Sequence, residues 1–316
     1  MGVYRALAPA KVNLGLFVGP IRAEDSRHEL VTVMQAISLA DELTLEPAPA
    51  GAAADELVCP SVAGPAQENL AAAALRAFRS RTGWEGPPVR LTILKRIPVA
   101  AGLAGGSADA AATLRLVSRA SGLGDEELLR ELGAELGADV PAQVSPGRWL
   151  AGGAGERLQA LPDPSHPLGL LVLPAAGGLS TAEVYGQADR LGRGRSLAEL
   201  AELRARLRSE LELSAPLPRD PELLGNDLQA AAVSLCPQIA PAMRRAREAG
   251  AEEVFVSGSG PTVVGLFSRA NAPGRVERAV SELAGLVPPP IAASSVGAAF
   301  AAAAEVTMPG PDGAPA

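Results

Sequence analysis

One stretch constrains this chain more than any other: Pro98-Val99-Ala100-Ala101-Gly102-Leu103-Ala104-Gly105-Gly106-Ser107-Ala108-Asp109-Ala110-Ala111-Ala112. Before it, Val89 to Lys95 alternates β-branched and long apolar residues with polar ones, the pattern of a strand. After it, Ala110 to Val117 carries strong helix formers and no breaker. A strand, a loop of small residues and a helix in that order turn backbone N–H groups and the positive end of a helix toward one spot. Such a spot suits a phosphate. From the loop alone a plain structural turn is the other reading, because Gly and Ala punctuate many connections. Two common phosphate loops are excluded by inspection: no lysine follows Gly106, and the glycines do not fall in the spacing of a dinucleotide fingerprint.

Around this stretch, 316 residues suffice for two ordinary domains, and Asp163 to Pro167 reads as the hinge between them. The net charge of −7 argues against a general nucleic-acid surface, which needs a basic excess. Two cysteines, Cys59 and Cys236, make no disulfide framework and fit a reducing compartment. Met1 to Lys11 lacks the pattern of a secretory signal. The uncharged run Leu283 to Ala304 is interrupted by Pro288-Pro289-Pro290, so neither a membrane span nor a membrane partner is expected. The expectation is a cytoplasmic protein, monomeric or homodimeric. Lysine usage is more pointed. Of 28 basic residues only Lys11 and Lys95 are lysine, and an ammonium does not substitute freely for a guanidinium fork.

In chain order, Tyr4 to Ala8 and Val12 to Val18 read as strands separated by a corner at Ala8-Pro9-Ala10-Lys11, with Lys11 and Asn13 on one face. His28 ends a charged loop. Leu30 to Leu45 reads as strands broken by a turn at Asp41-Glu42. Glu68 to Arg81 is a helix closed by Gly83, and Glu68-Asn69 is either its start or the edge of a ligand pocket. Asp125 to Leu136 is a helix stopped by Gly137. Asp139, in the turn that follows, contributes little to that helix and is either an Asx-type turn residue or functional. Trp149 to Leu161 reads as a hairpin. The second half runs strand, helices, strand, Ser257-Gly258-Ser259-Gly260-Pro261-Thr262, strand, helix, strand, which suggests a ferredoxin-like α+β domain. Leu197 to Leu211 is an amphipathic helix with Glu and Arg on a solvated face.

Taken together, Ala8-Pro9-Ala10-Lys11-Val12-Asn13, Pro98 to Ala112 and Val256 to Thr262 resemble the three motifs of the GHMP kinase superfamily. Gly137-Ala138-Asp139-Val140-Pro141 and Gly225-Asn226-Asp227-Leu228 are similar to the branch acting on a cytidine diphosphate polyol in the non-mevalonate route to isoprenoid precursors. The resemblance runs from Tyr4 to Val296. It implies an α+β two-domain fold: residues 1–162 as an N-terminal, ATP-binding domain resembling ribosomal protein S5 domain 2, residues 163–304 as a ferredoxin-like C-terminal domain, and residues 305–316 as a disordered tail. It also implies ATP and Mg²⁺ as cofactors and transfer of a phosphoryl group to a hydroxyl. Lys11 and Asp139 would be the catalytic pair. ATP would meet Pro98, Val99, Ala100, Ala101, Gly102, Leu103, Ala104, Gly105, Gly106 and Ser107, with Asn69 and Lys95 near the adenosine. Gly258, Ser259 and Gly260 would back the phosphates. No metal ligand is assigned: Mg²⁺ would ride on the phosphates with Ser107 nearby. Asn13, Arg27, His28 and Tyr185 would hold the cytidine end. Two departures stand out. The family's Asp-Gly-Tyr-His is Asp25-Ser26-Arg27-His28 here, placing a guanidinium plane where a tyrosine stacks cytosine, and Ala154 replaces an arginine. Another small-molecule kinase of the superfamily and a non-catalytic nucleotide-binding paralogue are the alternatives.

Overall fold

The computed structural model describes residues 1–62, 65–192 and 194–306. β1 (Val3–Ile21) pairs antiparallel with β2 (His28–Pro47) along most of its length. The corner expected at Ala8 to Lys11 is therefore wrong: the chain stays extended, and the irregularity is a register shift between Pro9 and Lys11 inside one strand. A bulge lets a residue without an N–H sit in a sheet. The turn expected at Asp41-Glu42 is wrong too. Both residues lie within β2, and Asp41 is fully buried.

The chain continues through β3 (Glu56–Val58), α1 (Leu70–Thr82), β4 (Val89–Leu94), α2 (Gly105–Ser121), α3 (Glu126–Leu136), α4 (Val140–Val144), β5 (Arg148–Gly152) and β6 (Arg157–Leu161). β4 pairs with the far end of β2 and β5 with its near end, β6 closes a hairpin on β5, and β3 lies parallel to β4. α2 crosses β1 and β2 and packs against α1. Its small residues Ala108 and Ala110 to Ala112 are buried, so the helix sits close to the sheet.

The second half comprises β7 (Gly169–Leu173), α5 (Thr181–Arg190), α6 (Leu197–Leu211), α7 (Gln229–Leu235), α8 (Ile239–Glu248), β8 (Glu253–Val256), β9 (Val263–Phe267), α9 (Ala272–Glu282) and β10 (Ile291–Ser294). Its antiparallel sheet runs β10-β7-β9-β8, the ferredoxin-like order expected from the sequence. α6 begins at a capping box in which Ser196 and Glu199 satisfy each other's backbone. Its Leu200, Leu203, Leu207 and Leu211, spaced three and four apart, are buried in the same apolar cluster as β1, β2 and α2. That cluster also takes in Leu168, Leu170 and Val172, so the two sheets share core.

A last strand, β11 (Ala304–Val306), pairs with Val3 to Arg5 of β1. Glu305 and Val306, expected to open a disordered tail, thus extend the first sheet instead. The rest of that expected tail, 307–316, lies outside the described residues. No helix among the described residues is long and apolar enough to cross a membrane.

Candidate active site

The cradle follows from the start of α2. The first intrahelical bond runs from Ala108 N to Ala104 O at 2.9 Å, so the amides of Gly105, Gly106 and Ser107 precede the ladder. Residue 104 is an alanine, with no side-chain oxygen to cap them. Ala100 and Ala104 both hold positive φ, at 54° and 55°, a conformation that costs an L-residue about 1–2 kcal/mol. The loop is thus held bent toward a concavity. Gly102 is obligatory on two counts: its φ is 74°, and a Cβ there would lie 2.3 Å from the carbonyl oxygen of Ser257. The loop rests on the first sheet through Lys11 N to Leu103 O, 3.1 Å, and on the second half through Ser257 Oγ to Gly102 O, 3.1 Å. Asn226 braces the far wall, donating from Nδ2 to Val256 O at 2.7 Å and Gly258 O at 2.8 Å.

A cleft of about 630 Å³ opens over this cradle, lined by 98–107, Lys11, Asn13, Asn69, Lys95, Asp109, Asp139, Tyr185 and 258–260. The positions expected at the catalytic and ATP sites therefore converge from five separated segments. On its floor, Lys11 Nζ lies 2.8 Å from Asn13 Oδ1 and 3.5 Å from Asp139 Oδ2. Asn13 in turn donates to Thr32 Oγ1 at 2.8 Å, and Thr32 to Gly15 O at 2.6 Å, which fixes the amide with its oxygen toward the ammonium. Lys11 is buried, whereas the Asp139 side chain stays one-third exposed. Asp139 precedes α4 and makes no capping bond with its carboxylate, which is left to face the cleft.

Lys95 is more deeply engaged than its expected place near an adenosine implies. Its Nζ bonds Asp41 and, at 2.6 Å, Asp109 Oδ2. A Cβ on Gly105 would sit 3.4 Å from this ammonium, so the cluster lies under the first turn of α2. Asp41 also accepts from Arg96 N and from Ile97 N at 2.8 Å, joining the end of β4 to β2. Burial pushes Asp109 up to about 7, against the pull of Lys95 and aided by the Asp41 carboxylate. Among the described residues, Asp109 Oδ1 is buried without a partner. Burial alone would lower Lys95, but the two carboxylates outweigh it and raise its pKa. Sequence reading missed both acids. The available signal was a lone acid within the alanine run of α2.

Asn69 does both things its sequence left open: its Oδ1 accepts from Ala71 N at 2.9 Å as the cap of α1, and it lines the cleft. The expected cytidine group divides. Tyr185 lines the cleft, its hydroxyl pushed up to about 12 by burial and by the charge of Asp139. His28 stands beside the Tyr185 ring, centroids 5.1 Å apart, with Nδ1 2.9 Å from Gly19 O. Arg27 is half exposed, and its Nε is tied to Asp25 at 2.7 Å. Neither His28 nor Arg27 is among the residues lining the cleft. Near the departure at Ala154, Glu156 accepts from Ala154 N at 2.7 Å and from Arg22 Nη1 at 2.7 Å, so a cation reaches this turn from the β1–β2 loop.

Comparison with known proteins agrees with this geometry. Residues 69–147 match the family model for the GHMP kinases N terminal domain and residues 190–285 that for the GHMP kinases C terminal. A protein of Anaeromyxobacter dehalogenans (strain 2CP-1) named 4-diphosphocytidyl-2-C-methyl-D-erythritol kinase is 42% identical over 264 residues, covering 83% of this chain and 80% of that one. One of the same name from Salinispora arenicola (strain CNS-205) is 41% identical, covering 90% and 89%. A crystal structure of 4-(cytidine 5'-diphospho)-2C-methyl-D-erythritol kinase is 33% identical with a TM-score of 0.71, covering 93% of this chain and 100% of the other. With its cradle, its lysine–aspartate pair and these relatives, the chain belongs to the GHMP kinases and, within them, to the 4-diphosphocytidyl-2-C-methyl-D-erythritol kinase family.

Proposed function

We propose that this chain transfers the γ-phosphoryl group of ATP to the 2-hydroxyl of the methylerythritol part of 4-diphosphocytidyl-2-C-methyl-D-erythritol. The observation that carries the reading is the 3.5 Å approach of Lys11 Nζ to Asp139 Oδ2 in the cleft above the free amides of α2. In this reaction the hydroxyl oxygen bonds to the γ-phosphorus, the bond from that phosphorus to the bridging oxygen breaks, and ADP leaves. Asp139 takes or orients the hydroxyl proton. Lys11, held by Asn13, orients the Asp139 carboxylate and offsets charge on the transferring group. The amides of Gly105, Gly106 and Ser107 bind the phosphates, while Lys95, bonded to Asp41 and Asp109, braces the first turn of α2 from beneath. Positioning and charge account for most of the catalysis such transfers need.

Magnesium fits as a passenger on the phosphates. Among the described residues there is no group of three His, Cys, Asp or Glu side chains that could cage a metal, and this ion usually keeps a share of phosphate and water oxygens. Ser107 Oγ and the part-exposed Asp139 carboxylate both line the cleft and would be oxygens within its reach. When bound it would screen the phosphate charge.

For the acceptor, the support is the identity to relatives of that name together with the aromatic wall of Tyr185, backed by His28. Arg27, tied back to Asp25, leaves the stacking of the base to Tyr185. The test is coupled ADP release with ATP and a panel of acceptors. Turnover of the cytidyl substrate, lowered at least about 100-fold by Lys11→Ala or Asp139→Asn, is the expected result. Turnover of homoserine or mevalonate with none of the cytidyl substrate would overturn it.

A further inference from the structure

Two turns beyond the cradle, α2 carries Arg115, and no acidic side chain pairs with it among the described residues. Its guanidinium instead bonds backbone carbonyls from three distant segments. Nη2 donates to Leu7 O at 2.8 Å, Nε to Ala301 O at 3.2 Å, and Nη1 to Gln143 O and, at 3.4 Å, Val144 O. Burial pushes its pKa down to about 10, so it remains a cation at neutral pH. A charge placed so costs free energy, and backbone dipoles are what it receives in return.

The identity of those carbonyls matters. Leu7 is four residues before Lys11 on β1, beyond the short pairing with β11 that ends at Arg5. Gln143 and Val144 are the last two residues of α4, and Asp139 immediately precedes α4. At five residues α4 is too short to hold its own position through its internal ladder. The guanidinium meets its open carbonyl end as a cation suits a helix C-terminus. One side chain thus joins the helix that opens at the phosphate cradle, the strand that carries the ammonium and the helix that the carboxylate residue leads into.

We propose that Arg115 is a positioning residue for phosphoryl transfer: by clamping Leu7 to the end of α4 it sets the separation of Lys11 and Asp139. The assignment rests on the reaction proposed above. Arg115 lies away from the cleft, beside a separate cavity of about 250 Å³ with Ser118, Ser145 and Ala302. Its loss therefore acts on the geometry of the catalytic pair and leaves the binding surfaces in place.

The test uses the full chain, with single-turnover and steady-state rates for ATP and the cytidyl substrate beside a melting curve. Arg115→Met is expected to lower kcat by about 10- to 100-fold, since small misplacements of a catalytic group cost that much, while both KM values stay within about threefold. Arg115→Lys, which restores the cation and part of the bonding, is expected to recover at least half of the lost kcat on a logarithmic scale. On an Asp139→Asn background, Arg115→Met is expected to change kcat less than about twofold, because the pair it positions is already gone. A folded Arg115→Met enzyme with parental kcat overturns the proposal. So does an undiminished loss on the Asp139→Asn background, which would mark a general structural role. If Arg115→Met does not fold, the same comparison is read on Arg115→Lys, with a parental kcat or an equal loss on both backgrounds again overturning it. Absence of turnover by the parent is a different result: it removes the reaction, and with it this role for Arg115.

Discussion

Replacing Asp109 with asparagine separates a buried charge from the hydrogen bonds around it. In the parent, one ammonium serves two buried carboxylates, Asp41 and Asp109, so ionising the second leaves uncompensated negative charge under the first turn of α2. Its folded pKa of about 7 stands against an ordinary value of 3.8. At about 1.4 kcal/mol per unit, that separation of about 3 units amounts to about 4 kcal/mol. The sign follows from proton counting. Between pH 4 and pH 7 the folded protein holds a proton that the unfolded chain has released, so this contribution to stability is whole below pH 4 and is lost as pH rises through 7. Lys95, also raised, titrates above this window. An asparagine cannot ionise, yet its Oδ1 can still accept from Lys95. Urea unfolding of parent and Asp109→Asn at pH 5, 6, 7 and 8 should therefore show the variant gaining on the parent with each step, by up to about 1.4 kcal/mol per pH unit. Parallel curves across those four pH values would refute the claim that Asp109 carries the proton.

The other predictions concern the walls of the cradle. Gly102→Ala adds a Cβ 2.3 Å from Ser257 O at φ 74°; it should cost about 2–5 kcal/mol in a melt and raise KM for ATP at least about tenfold. Asn226→Ala removes two donated bonds and the one that Oδ1 accepts from Leu228 N at 2.9 Å, for an expected loss of about 1–3 kcal/mol. Asn226→Asp should be worse than alanine, because it turns an oxygen toward two carbonyls, and unfolding midpoints of the two variants decide the order.

The cradle was legible because its signals are local: glycines, a strand before, a helix after. The same holds for Asn69 at the start of α1, for the boundaries of α6 and for Asp139 in a turn where a carboxylate does nothing for its helix. What escaped depends on partners far along the chain. Asp41 looks like a turn residue until Lys95, 54 positions later, neutralises it within β2. Pro9 looks like a corner because a strand interior has no place for a missing N–H, yet a register shift supplies one. Arg27 sits in the right motif, but Asp25, two residues before it, holds its guanidinium outside the cleft. Nothing in an arginine on an alanine-rich helix announces that backbone carbonyls from three segments will converge on it, as they do at Arg115.

The leucine stripe of α6 bears on how such a protein is inherited and cut. Its four side chains come from the later half of the sequence but are seated under the earlier sheet. At about 1.5–3 kcal/mol each, they contribute about 6–12 kcal/mol, as much as the whole margin by which an ordinary domain stays folded. A fragment ending near Asp163 would leave the underside of β1 and β2 wet, and its complement would carry a greasy helix in search of cover. The two halves therefore share one apolar core, and a front half shuffled onto a foreign rear half is expected to stay soluble only if α6 is imported along with it.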